Sequence, residues 1–208
     1  MSVQFDLFDG PPRFGTFAEL EVALLALTGD PLEVEGGRIV VYRGSPAAKV
    51  MIIGEAPGAE EDRLGRPFVG KSGKLLDAIL ESVGFDPAAD VFITNSAFRR
   101  PRDNRKPATD EIEWYRPWVR EIIRLIDPRI ILLTGASALQ SVLDEKRGIT
   151  KIRGQWFDWE GRKVMPIFHP AYLLRNPSTA EGAPKRLMWG DVQAVREVFD
   201  TLGGAATG

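Results

Sequence analysis

Short runs of consecutive apolar residues alternate along this chain with longer stretches in which apolar residues recur every three or four positions. The runs fall at residues 38–42, 49–53, 91–94, 129–134 and 164–168 and are rich in Val and Ile. A run that is apolar at successive positions keeps no face for water, so such strands belong to a sheet covered on both sides. Between them, Leu75, Leu76, Ile79, Leu80 and Val83 form one helical stripe, with Gly84 where a helix should stop. Thr109, followed by Asp110 and Glu111, opens a second helix whose buried face is Ile112, Tyr115, Val119, Ile122 and Ile126. Residues 17–27, 136–143 and 181–202 complete the helical set. Strands alternating with helices predict an α/β protein, a three-layer α/β/α arrangement around a central, mainly parallel twisted sheet. The Gly-Pro-Pro break at residues 10–12 sets off residues 1–15 as a flexible tail from a single domain over residues 16–208.

Composition narrows the chemistry. At 208 residues the chain can bury a substantial core. It has no cysteine and one histidine. That excludes disulfides, thiolate nucleophiles and thiolate or multi-histidine metal centres, so no cofactor is expected. No apolar run reaches membrane-spanning length, and no basic segment precedes an apolar one at the start, which points to the cytoplasm. The net charge of -2 argues against a nucleic-acid binder. Its distribution argues the other way: bases bunch at residues 99–106, 146–153 and 185–186, while acids gather at 19–35 and 191–200.

In a parallel α/β sheet the ligand crevice lies at the carboxyl ends of the strands. Three unusual loops follow three strands there: residues 54–70, 95–107 and 169–178. The first, with Gly54, Glu55, Ala56, Pro57 and Gly58, has the glycines and prolines of a tight backbone pressed against a ligand. Its end, Gly70-Lys71-Ser72-Gly73, also suggests a phosphate-cradling helix start, although the Walker spacing is absent and the neighbouring carboxylates would repel a triphosphate. The second loop begins with Asn95, whose amide can read a base edge or merely cap a turn. The third carries the sole histidine, His169, stiffened by Pro170; a structural, hydrogen-bonded role is the alternative.

Taken in order, these motifs resemble the uracil-DNA glycosylase superfamily, and most closely its family 4. The resemblance rests on Gly-Glu-Ala-Pro-Gly, Arg-Pro-Phe-Val-Gly-Lys-Ser-Gly, Ile-Thr-Asn and His-Pro-Ala-Tyr-Leu-Leu-Arg-Asn-Pro, with Pro117-Trp118 and the Ile149 to Gly154 segment between. It spans roughly residues 38 to 198. Family 4 members carry four cysteines for an iron–sulfur cluster, and thiolates are required to hold one. None is present here; two of the ligand positions match Arg99 and Tyr115. A related branch that crosslinks to DNA does so through a histidine in an inserted loop, and residues 95–107 contain neither.

The resemblance implies a monofunctional enzyme of base excision repair that flips uracil from DNA and hydrolyses its glycosidic bond. Leu173 would wedge into the vacated stack, with Arg175 beside it. Phe68 would stack on the base within a pocket formed by Gly54, Ala56, Pro57 and Gly58. Asn95 would read the uracil edge, and His169 would stabilise charge developing on O2. Other branches place an aspartate where Ala56 stands, so Glu55 is expected to position water, Glu61 to support it or exclude a thymine methyl, and Asn104 to assist. Lys71, Arg102, Arg105, Lys151 and Arg153 are the expected phosphate contacts. Gln4, Leu7 and Phe8 resemble the short motif by which bacterial repair proteins dock on the sliding clamp. The expected form is a monomer associated with the nucleoid. A protein of different class, a non-catalytic binder of abasic or damaged DNA, would share these features while lacking an acid at Ala56.

Overall fold

The computed structural model describes residues 13–145 and 147–203. Among these, six strands form one sheet: β1 (Arg43–Gly44), β2 (Val50–Gly54), β3 (Val91–Asn95), β4 (Ile130–Thr134), β5 (Phe157–Trp159) and β6 (Arg162–Ile167). Eight α-helices accompany them: α1 (Phe17–Leu25), α2 (Ala59–Leu64), α3 (Lys71–Ser82), α4 (Thr109–Ile126), α5 (Ala136–Leu143), α6 (Ile149–Ile152), α7 (Pro170–Arg175) and α8 (Pro184–Thr201). The strand order is β1-β3-β2-β4-β6-β5. The four inner strands are parallel and the two short edge strands antiparallel. The three-layer architecture expected from the sequence is the one observed.

The strands divide their side chains between two cores. Met51, Ile53, Phe92, Ile131 and Leu133 face α1, α4 and α5. Their neighbours Val50, Ile52, Val91, Ile93, Ile130 and Leu132 face α3 and α8 on the other side. That is why the runs read as continuous: each residue is buried on one face or the other. Each fully buried aliphatic side chain contributes about 1.5–3 kcal/mol, which anchors the strand ends that carry the polar residues.

Residues 38–42 are not the expected strand. Ile39, Val40 and Val41 are buried, as the apolar run predicts, but loops claim the backbone. The Arg38 N–H donates to Asp62 Oδ1 and the Val40 N–H to the Phe98 carbonyl. Pairing starts only at Arg43, opposite Ile93. Edge strand β5 and the short helices α2, α6 and α7 had no periodic signature, each being too brief to show one. Arg13 and Phe14, within the expected tail, dock on α4: Phe14 N–H donates to Glu121 Oε1 at 2.8 Å and its ring lies 6.2 Å from Trp118. Gln4, Leu7 and Phe8 lie outside the described residues.

Candidate active site

Sheet order reverses between β2 and β4, because β3 adds to one side of β2 and β4 to the other. The chain leaving β2 runs to α3 on one face and that leaving β4 to α5 on the other, so the connections diverge and leave a crevice. A cavity of about 420 Å³ opens at this point, a size that admits a nucleotide. Its wall combines Glu55, Ala56, Pro57, Gly58, Glu61 and Phe68 from the first loop. Asn95, Pro101, Asn104 and Arg105 come from the second, and His169, Ala171 and Arg175 from the third. The three loops distant in sequence therefore share one cavity.

Asn95 ends β3 and is 1% exposed, yet its Oδ1 has no hydrogen-bond partner among the described residues. A buried acceptor without a donor is costly, and a ligand N–H placed there removes the cost. Gly54 lies directly beneath. A Cβ at that position would collide with Asn95 Oδ1 and come within 2.5 and 2.6 Å of two Phe68 ring carbons. Glycine is therefore required for the amide and the ring to sit side by side.

Phe68 is 5% exposed and holds a left-handed backbone, φ 53°. A bulky residue there is strained by on the order of 1–3 kcal/mol and stays only if its surroundings fix it. Gly73 does this: its missing Cβ lets the first turn of α3 press on the Phe68 carbonyl. The phosphate-loop look of residues 70–73 thus has another cause. The helix start is already occupied by a carboxylate, since Glu61 Oε1 accepts from Val69 N–H at 3.0 Å and Gly70 N–H at 2.8 Å. Glu61 Oε2 accepts from Gly58 N–H at 3.2 Å. Glu61 is a clasp joining the ends of the first loop, and it also lines the cavity.

His169 caps α7, accepting the Ala171 N–H at Nδ1 over 3.1 Å. The neutral ring must then carry its proton on Nε2 and act as a donor there. Burial holds its pKa below the ordinary value; Glu55 and Glu61 pull upward, and Arg175 adds to the depression. Its ring centroid lies 5.7 Å from that of Phe68. Glu55, at the end of β2, accepts from Ser137 Oγ at 2.8 Å. No group of residues able to hold a metal ion occurs among the described residues.

The residues expected to contact DNA stand in different surroundings. Leu173 is 0% exposed and packs in the core with α3 and α8, because its side of the six-residue helix α7 faces inward. Leu174, 43% exposed, is the residue that projects. Arg153 is tied by a two-pronged salt bridge to the buried Asp191, with Nε 2.7 Å from Oδ2, and lies away from the cavity. Arg105 reaches the rim but pairs with Glu35 and Glu111, each at 2.6 Å. Asn104, with φ 53°, accepts from Arg100 Nε at 2.8 Å. Arg102 lines an adjoining groove. Lys71 and Lys151 are exposed and make no ion pair among the described residues, nor does Arg175 at the rim.

Sequence reasoning missed Ser72, Gly135, Ala136 and Ser137. The first is on α3; the others sit where β4 becomes α5. The signal was present: β4 is an inner strand like the others, and its exit, only one residue long, was passed over because it forms no conspicuous loop.

The match to known proteins covers this whole region. Residues 41–193 fit the model of the Uracil DNA glycosylase superfamily. A type-4 uracil-DNA glycosylase of Thermotoga maritima is 42% identical over 178 residues, 85% of this chain and 91% of that protein. One from Sulfurisphaera tokodaii is 36% identical over 76% of this chain and 73% of its own length. A type-5 uracil-DNA glycosylase of Pyrobaculum aerophilum is 30% identical over 67% of this chain and 69% of its own.

Proposed function

Since the chain belongs to the uracil-DNA glycosylase superfamily, we propose that it is a monofunctional uracil-DNA glycosylase of base excision repair. It takes uracil out of the DNA stack into the cavity and hydrolyses its bond to deoxyribose. The observation that carries this reading is the unpartnered Oδ1 of Asn95. Uracil supplies the missing donor through N3–H and offers O4 to the amide N–H of the same side chain. Cytosine has no hydrogen at N3 and an amine where O4 stands, so it leaves buried groups unpaired and is rejected.

Phe68 stacks on the extruded ring. As the C1′–N1 bond breaks, its electron pair leaves with the base and charge gathers on O2. The Nε2–H of His169 stabilises it as a preorganised donor. Glu55, fixed by Ser137, orients the water whose oxygen joins C1′ and whose proton passes to the departing base. No lysine is among the described residues that line the cavity, which supports water over an amine as the nucleophile. Leu174, rather than Leu173, takes the wedge position, and Arg175, Lys71, Arg102 and Lys151 contact phosphate. Gln4, Leu7 and Phe8 dock a sliding clamp; a pull-down in which Leu7→Ala/Phe8→Ala binds as well as wild type would remove that element.

The test is single-turnover incubation with a duplex containing one dU. Free uracil and a strand that breaks only on later alkali treatment are expected. Strand breakage without alkali would make the enzyme a lyase. No uracil release together with tight binding of abasic duplex would make it a binder, the reading that Ala56, contributing a methyl to the cavity wall, would then explain.

A further inference from the structure

The resemblance to family 4 implies a cluster held by four cysteines, and it places Arg99 and Tyr115 at two of those positions. In this chain both point at one carboxylate. Asp30 has a side chain 0% exposed; it accepts from Arg99 Nε at 2.7 Å, from the Tyr115 hydroxyl and from Leu32 N–H at 3.2 Å. A guanidinium offers iron no ligand, and neither does the Tyr115 phenol, whose pKa burial and Asp30 push upward. The residues do not fit a cluster; they fill the position with an ion pair.

Arg99 makes more than that pair. It donates to the Gly37 carbonyl at 2.6 Å and to the Leu27 carbonyl at 2.9 Å, so three nitrogens hold a segment with little regular structure of its own. The same segment, residues 27–37, also grips the far end of the second loop. Glu35 accepts the Arg102 N–H and lies 2.6 Å from Arg105. Gly37 sits so close that a Cβ would be 3.1 Å from Arg100 N. Between these two grips the loop contains consecutive left-handed residues, Asp103 (φ 56°) and Asn104 (φ 53°). Asp and Asn tolerate this conformation better than other side chains, and contacts from residues 27–37 hold the loop on both sides of the pair. Pro101, Asn104 and Arg105 from this stretch form one wall of the cavity.

We infer that Asp30, Arg99 and Tyr115 form a buried polar clamp which replaces a metal cluster as the tie for residues 99–105 and so positions the DNA-facing rim of the pocket. The three are positioning residues, acting through the loop and not on the reacting atoms. Lysine cannot substitute for Arg99, because one ammonium cannot reach carboxylate and two carbonyls in the planar fork that a guanidinium provides. The kinetic part of this inference rests on the glycosylase reading; the structural part does not.

The test uses the full-length protein with Arg99→Met, Arg99→Lys and Tyr115→Phe. Amide hydrogen exchange in residues 100–106 should accelerate in Arg99→Met and Arg99→Lys, and less in Tyr115→Phe, while that of β4 stays as in wild type. KM for uracil-containing duplex should rise about tenfold in Arg99→Met, with kcat within roughly threefold, because binding of DNA and not bond cleavage is affected. Inhibition by free uracil should be unchanged. Wild type grown in iron-depleted medium should match normal preparations in Tm and activity. Unchanged loop exchange in Arg99→Lys and Tyr115→Phe would overturn the clamp even if Arg99→Met does not fold. Equal loss in kcat and free-uracil binding would also overturn it, by showing a general collapse of the site. Absence of uracil release by wild type would instead count against the glycosylase reading, leaving hydrogen exchange to judge the clamp.

Discussion

Ser137 donates its hydroxyl to Glu55 across the point where the strand order reverses, over 2.8 Å. The two residues stand at the exits of β2 and β4, the strands between which the crevice opens. One oxygen of the carboxylate is thereby fixed before any substrate arrives, and a prepositioned base or water anchor loses less order in the transition state. Ser137→Ala should lower the single-turnover rate about tenfold with KM nearly unchanged, and Ser137→Thr should restore most of it. An equal rate in Ser137→Ala would leave the serine without a part in the reaction.

His169 gives a pH dependence of defined sign. Burial depresses its folded pKa below the ordinary 6.5, so the unfolded chain binds a proton in a range where the folded one does not. The stability this contributes is complete above about pH 6.5 and is lost as pH falls toward the folded value. Denaturation at a series of pH values between about 7 and 5 should give a flatter slope for His169→Gln than for wild type. Parallel slopes would contradict a neutral, buried imidazole.

Leu173 and Leu174 should separate stability from DNA handling. Leu173→Ala empties a core position and should cost about 2–5 kcal/mol, read from denaturant midpoints. Leu174→Ala should leave stability within about 0.5 kcal/mol, yet slow uracil release from duplex more than from single-stranded DNA. The reverse pattern would return the wedge to Leu173.

Gly54→Ala tests the close approach beneath the pocket. The added methyl must displace the Asn95 amide or the Phe68 ring. A displacement of about 1 Å at a catalytic site costs on the order of a hundredfold in rate, so uracil release should fall that far in a protein that still folds. Activity within about threefold of wild type would mean that the pocket can yield there.

The elements of the fold were legible wherever burial imposed a period. Val50 to Ile53 and Ile130 to Leu133 are apolar at every position because each lies against one of two cores. Residues 38–42 carry the same apolar signature but spend their backbone bonds on Asp62 and Phe98, which no local pattern records. The site was legible where chemistry is rare: a single histidine and a strand-end asparagine. Ser137 was not, since a serine opening a helix is common and its partner is 82 residues away. Arg99, Arg105 and Arg153 read as a basic surface because a sequence does not show that Asp30, Glu111 and Asp191 neutralise them.

Asn95→Ala bears most directly on the idea that a buried amide identifies the base. Its Oδ1 is unpaired before substrate binds, so removing it should leave Tm unchanged or slightly raised. Single-turnover release of uracil from a dU-containing duplex should meanwhile fall by at least about a hundredfold. A variant that keeps both its stability and a rate within about threefold of wild type would contradict this mechanism, because base recognition would then not pass through Asn95.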